Sequence, residues 1–284
     1  MTEICVFPGQ GSQEVGMGGD LFERFPDEVA LADRILGYSI SSLCLDDPKK
    51  QLHLTEYTQP ALYVVNALSY KALIQQLGKP PVLVAGHSLG EYNALHVAGA
   101  FDFEEGLKIV LRRSLLMSQV STGGMAAVIG LTPESVIRII NKIDFESLDI
   151  ASYNAPNQIV LSGPLDILNL VREAIIKENA RFFPLKVGGP FHSRYMNAAA
   201  CGFSDYLTEI NFLPLKIRTV SNYTGRPFQN DSIKASLENQ INHTVRWVET
   251  VEYLLDQPDP KITEVGPGNV LTGLIKKIKA ARNP

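Results

Sequence analysis

Cysteine is scarce in this chain of 284 residues, and the three present (Cys5, Cys44, Cys201) are far apart with no C-x-x-C spacing. An odd, scattered set argues against a disulfide framework or a metal site and suits a reducing compartment, so a cytoplasmic location is expected. Long apolar runs are missing too. No stretch approaches the roughly 18 residues that cross a bilayer, which argues against a membrane protein. The opening Met1-Thr2-Glu3 begins with an acid and lacks the basic segment of a signal peptide. Nor is there a basic excess. Twenty-six Lys and Arg against 30 Asp and Glu leave a net charge of −4, which speaks against nucleic-acid binding. Repeats and low-complexity segments are also absent. What is there is ordinary for an enzyme: 45% apolar and 20% charged residues, enough to bury a large core. The length allows one large domain or two modest ones.

The chain alternates short apolar runs with helical patterns, which predicts an α/β fold. Ile4–Phe7 reads as a strand broken by Pro8-Gly9-Gln10-Gly11. Gln59–Leu77 reads as a helix, and Val82–Ala85 as a buried strand of a parallel sheet. The rhythm changes after Gly123-Gly124. Strand Met125–Leu131, a helix through Ile143, strands Asp149–Tyr153 and Gln158–Leu161, helix Pro164–Asn179 and strand Arg181–Val187 follow. That order, β-α-β-β-α-β, is the ferredoxin-like pattern. The expected architecture is therefore a large α/β-hydrolase-like domain with a parallel sheet, from 1–123 and 189–284. A small ferredoxin-like domain (124–188) is inserted, with a cleft between the two.

Gly86-His87-Ser88-Leu89-Gly90 has the form G-x-S-x-G, in which small flanking residues let a strand turn sharply into a helix and expose the serine hydroxyl. The string alone is common, but the required strand and helix flank it. Ser88 is the candidate nucleophile, with a plain turn as the alternative. A serine needs a base, and five histidines are available. His53 and His243 lie in polar contexts, His96 reads as packing or surface, and His87 points away from the elbow tip, toward acyl substituents. His192 follows Gly188-Gly189-Pro190-Phe191, where the chain leaves the insert and borders the cleft. It is the candidate base, a structural role being the alternative. Arg113 has only apolar neighbours at ±3 and ±4 (Ile109, Val110, Leu116, Met117), so it needs an anionic partner. That partner is either an internal Asp or Glu or a substrate carboxylate. The Gly-rich turn at 8–13 can aim backbone N–H groups at the elbow, and it lacks the Gly-Lys-Ser/Thr ending of a phosphate loop.

Seven segments in order, 7–13, 58–62, 86–92, Arg113 with Met117, 189–193, 240–247 and 264–268, resemble the malonyl-CoA:acyl-carrier-protein transacylase family. The resemblance runs from Ile4 to Lys279. It implies an [acyl-carrier-protein] S-malonyltransferase with Ser88 as the acylated serine and His192 as its base. The backbone N–H groups of Gln10 and Leu89 would form the oxyanion hole. Arg113 would clamp the malonyl carboxylate, with Gln59 near the same pocket and His87 and Phe191 on the substrate side. Phe191 matches the malonyl-selective form, because its ring would crowd a C2 methyl. The main-chain carbonyl of Gln240 would orient His192, and Asn222 either supports this region or simply makes a turn. The strings at 37–40, 63–70 and 189–192 look more like free-standing acyltransferases that serve polyketide synthases. The implied partners are malonyl-CoA and an acyl carrier protein, with no cofactor and no metal. A fatty-acid-synthesis transacylase and a thioesterase clearing stalled acyl chains are the alternatives. An acidic carrier would need a basic landing site, either Lys276, Lys277, Lys279 and Arg282 or the cleft-side Lys186.

Overall fold

The computed structural model describes residues 1–143 and 146–282. Residues 144 and 145 of the expected insert, and 283 and 284 at the end of the returning segment, lie outside them. Eight strands among the described residues form two four-stranded sheets: β1 (Thr2–Phe7), β2 (Leu83–Gly86), β3 (Gly124–Ile129), β4 (Asp149–Ala155), β5 (Gln158–Gly163), β6 (Arg181–Pro184), β7 (Arg218–Thr219) and β8 (Pro260–Glu264). The first sheet has the order β7-β2-β1-β8, and every pairing in it is parallel. Its central strand β1 is a continuous apolar run because both faces are covered. Ile4 and Val6 pack with Trp247, Val251 and Leu271 on one side, and Cys5 and Phe7 with Ala94, Ala98 and Val265 on the other.

The second sheet has the order β4-β5-β3-β6 and is antiparallel, the arrangement a ferredoxin-like β-α-β-β-α-β chain produces. Alternation sorts its residues. Ala126, Val128, Ile159, Leu161 and Phe182 bury against the helices Pro133–Ile143 and Leu165–Lys177. Met125, Ala127 and Val160 turn the other way, into the core of the large unit. The chain is thus a mixed α/β protein with a parallel sheet and a small antiparallel one.

Most boundaries shift by a residue or two from the pattern-based expectation, and three differences have a clear local cause. The helix expected from Gln59 begins at Thr55, because Pro60 near its start removes one N–H donor without ending it. Strand β6 ends at Pro184 rather than Val187, since proline cannot donate to the ladder, although Leu185 N–H still reaches the Met125 carbonyl at 2.9 Å. The expected break at 154–157 shrinks to Pro156-Asn157, because Ala155 pairs with Gln158 beyond a β-bulge. Asn154 is thereby held inside β4 with its side chain fixed. No helix among the described residues is long and apolar enough to cross a membrane.

Candidate active site

Strand β2 ends at Gly86 and a helix, Gly90–Val97, starts four residues on. The turn between them is tight enough to exclude side chains at both ends. A Cβ on Gly86 would lie 1.9 Å from the Gly90 carbonyl carbon, and one on Gly90 would lie 2.0 Å from the Phe7 carbonyl oxygen. Ser88, at the tip, takes φ +50°, a left-handed conformation that costs a non-glycine residue about 1 kcal/mol. Asn222 holds it there. Its Oδ1 accepts the Ser88 N–H at 2.6 Å while its Nδ2 donates to the Gly86 carbonyl at 2.6 Å.

The Ser88 hydroxyl meets His192 Nε2 at 2.7 Å. His192 Nδ1 lies 2.7 Å from the Gln240 carbonyl, which can only accept, so Nδ1 carries the proton and Nε2 presents its lone pair to the serine. His192 is buried and itself has φ +57°. Burial first, and then the positive charge of Arg113, push its imidazole down to about 3, so the ring is neutral. The Gln240 carbonyl opposes this shift.

Arg113 is completely buried on the helix Phe103–Ser118. Its Nη1 donates to Gln59 Oε1 at 2.7 Å, and its Nη2 to Gln240 Oε1 at 2.9 Å and to Ser88 Oγ at 3.2 Å. The guanidinium also stands 5.2 Å from the centre of the Tyr92 ring. Among the described residues none of its hydrogen bonds goes to a carboxylate, and its Nε has no partner. Of the two readings for Arg113, no internal ion pair forms among the described residues.

A cavity of about 120 Å³ opens beside Ser88. Gln10, Gln59, His87 and His192 make its polar side, and Met117, Met125 and Phe191 its apolar side. Leu89 is buried just beyond the tip. The N–H groups of Gln10 and Leu89 take no part in the backbone hydrogen bonds of the described residues. His87 lines the cavity, but its Nε2 is committed to Asn154 Oδ1 at 2.8 Å and its ring lies 5.3 Å from that of Trp247, joining the elbow to β4. His96 is half-buried against Tyr63 and Phe103, while His53 and His243 are exposed. A larger open groove of about 790 Å³, bordered by Glu14, Arg24 and Gln76, gathers no histidine or cysteine.

One contributor escaped the reading of the sequence, which leaves a second open between two roles. Glu91 is fully buried beneath the elbow, and Asn222 proves to be a double brace rather than a simple turn residue. The signal for Glu91 was its place in the first turn of the elbow helix, three residues after Ser88. Asn222 is 134 positions from Ser88 and left no local signal. Of the basic candidates, Lys277 is hydrogen-bonded to Gln158 and Arg282 to Asp256, whereas Lys186 is exposed between two residues that line the cavity, Leu185 and Val187.

A serine at a strand-to-helix elbow, bonded to a neutral imidazole within an α/β frame, is an arrangement in which the imidazole can take the hydroxyl proton and free the serine for nucleophilic attack. The acyl transferase domain family matches residues 4–281, and the chain belongs to that family. It is 49% identical to the polyketide biosynthesis malonyl CoA-acyl carrier protein transacylase PksC of Bacillus subtilis, with 96% of each chain covered. It is 47% identical to the polyketide biosynthesis protein PksE of the same organism, over 98% of this chain but only 37% of that protein. A solved structure of malonyl CoA-acyl carrier protein transacylase from Burkholderia pseudomallei superposes with a TM-score of 0.97 at 43% identity, covering 100% of this chain and 99% of that one.

Proposed function

We propose that this chain moves a malonyl group from malonyl-CoA to the phosphopantetheine thiol of an acyl carrier protein, through a malonyl ester on Ser88. The observation that carries the reading is Arg113, a buried cation within 3.2 Å of the Ser88 hydroxyl that is bonded to no carboxylate among the described residues. A buried guanidinium in that position favours an acyl group that ends in a carboxylate.

In the proposed route His192 Nε2 takes the hydroxyl proton as Ser88 Oγ attacks the thioester carbonyl. The N–H groups of Gln10 and Leu89 receive the oxyanion at the start of the elbow helix. Coenzyme A leaves as its thiol, protonated by His192. The carrier thiol then gives its proton to His192 and attacks the ester, regenerating Ser88. Gln240 keeps the imidazole in the required tautomer through its main-chain carbonyl. Gln59 aligns Arg113, and Phe191 limits bulk at the malonyl C2. His192 handles every proton and N–H donors meet every developing charge, so this route calls for no metal or redox cofactor. The names of PksC and PksE support a polyketide pathway and a carrier partner, and the unpaired cysteines Cys5, Cys44 and Cys201 support a cytoplasmic site.

Mixing the protein with malonyl-CoA and weighing it intact tests the reading. A malonyl adduct on Ser88 that transfers to a phosphopantetheinylated carrier is expected. Equal coenzyme A release with and without carrier would instead indicate hydrolysis.

A further inference from the structure

We propose that Glu91 is the positioning residue of the Ser88–His192 pair, bracing both partners at once through Asn222 and Gln240. The inference rests on the reading of that pair as the acyl-transfer machinery. Glu91 lies on the elbow helix with no exposed surface. Its Oε1 accepts the Asn222 N–H at 2.6 Å, and its Oε2 accepts from Gln240 Nε2. Asn222 fixes the serine end through Ser88 N–H and the Gly86 carbonyl. Gln240 fixes the histidine end through its main-chain carbonyl. Its Nε2 also donates to the Ser88 carbonyl at 2.8 Å. One carboxylate thus ties the elbow to the turn after β7 and to the helix Ile233–Asn242.

The orientation of the Gln240 amide shows why a carboxylate is needed. Arg113 has only donors, so it claims Oε1 of Gln240. The NH₂ group must then face acceptors, and the Ser88 carbonyl and Glu91 supply them. A flipped amide would set donor against Arg113 and acceptor against Ser88. The sequence Arg113, Gln240, Glu91 also sets the carboxyl group one residue away from the guanidinium, so that no carboxylate among the described residues bonds its fork. The groups facing Glu91 are Arg113 from the helix Phe103–Ser118, Asn222 and Ser221 from the turn, and Gln240. Burial pushes the Glu91 carboxyl up to about 8, against the pull of the Asn222 and Gln240 bonds and the Arg113 charge.

The test is Glu91→Gln, which keeps the shape but must aim its own NH₂ at either the Asn222 N–H or the Gln240 NH₂. Labelling of Ser88 by a fluorophosphonate reads the pair without reference to any acyl donor. For Glu91→Gln, labelling should slow by about tenfold or more, a loss of the size that follows a mispositioned base. Malonyl-CoA acylation should lose kcat by the same factor at unchanged KM. The His192 Nδ1 proton resonance should shift or broaden, and the ionisation near pH 8 in the wild-type labelling profile should vanish. Glu91→Asp, which keeps the charge one methylene short, should fall between the two and carries the same readouts where Glu91→Gln fails to fold. Wild-type labelling rates with an unmoved His192 resonance in both variants would overturn the proposal. A wild-type protein that takes fluorophosphonate but not malonyl-CoA would sink the substrate reading alone.

Discussion

A single guanidinium sets the behaviour of two neighbours in the site. Arg113 bonds the Ser88 hydroxyl and, after burial, is the second cause holding His192 down at about 3. In Arg113→Ala the His192 imidazole should therefore titrate at a higher pH, though burial still keeps it below the ordinary histidine range. An NMR titration reads the change, and an unmoved midpoint would mean that burial acts alone. The same variant should lose malonyl transfer by roughly tenfold to a hundredfold, the worth of a charge-assisted pair, while acetyl transfer falls less. Equal losses would make the arginine structural. Ser88→Ala should keep the fold within about 1 kcal/mol, because the Asn222 bond is to the backbone N–H, yet take up no malonyl group in intact mass analysis.

Elements meet at the elbow more closely than side chains allow, and that closeness can be measured. The strand β1, the strand β2 and the elbow helix touch backbone to backbone at Gly90, where an added methyl would lie 2.0 Å from a carbonyl oxygen of β1. Gly90→Ala should cost about 3 kcal/mol or more in urea denaturation, since the clash is with backbone that cannot swing aside. Gly273, inside the last helix Val270–Arg282, has nothing within 4 Å of the same position. Gly273→Ala should instead stabilise by about 0.5–1 kcal/mol. Similar effects from both substitutions would mean that the elbow is looser than its geometry.

For the molecule as a whole, buried titratable groups set opposing pH slopes. His87, His96 and His192 are all held below the ordinary histidine value of 6.5 by burial. Below that pH the unfolded chain binds more protons than the folded one, so stability falls as the solution becomes acid. Glu91, raised from 4.5 to about 8, binds a proton more tightly when folded, so stability falls as pH climbs between those values. Three groups outweigh one below 6.5, and Glu91 acts alone above it. The urea midpoint should peak near pH 6.5, and Glu91→Gln should flatten the alkaline decline and steepen the acid one between about 4.5 and 6.5. Carrier docking is also a property of the whole surface. Lys186→Glu, at the exposed rim of the cavity, should raise the carrier KM at low salt and leave acylation by malonyl-CoA unchanged. An unchanged carrier KM would clear Lys186 of the role.

Features governed by near neighbours in the chain were legible without a structure. The glycines of Gly86–Gly90 announce a strand turning into a helix, and the β-α-β-β-α-β order from Met125 to Val187 announces a small ferredoxin-like sheet. The apolar neighbours of Arg113 announce a buried cation, and the resemblance indicated Ser88, His192 and Gln240 through short motifs. What the cation faces was not legible, because a helical period says that a side chain is buried but not which distant group meets it. Folding brought Gln59 and Gln240 to Arg113 across 54 and 127 positions and kept carboxylates out of its bonds. It also brought Asn222 to Glu91 across 131 positions. Hydrogen bonds over such separations depend on how helices and turns pack, and packing leaves no period in the sequence. The amino-acid order therefore determined the candidate nucleophile, the candidate base and the frame that carries them. Only the tertiary structure decided that Arg113 bonds Gln59, Gln240 and Ser88 and that Glu91 bonds Asn222 and Gln240 beside it.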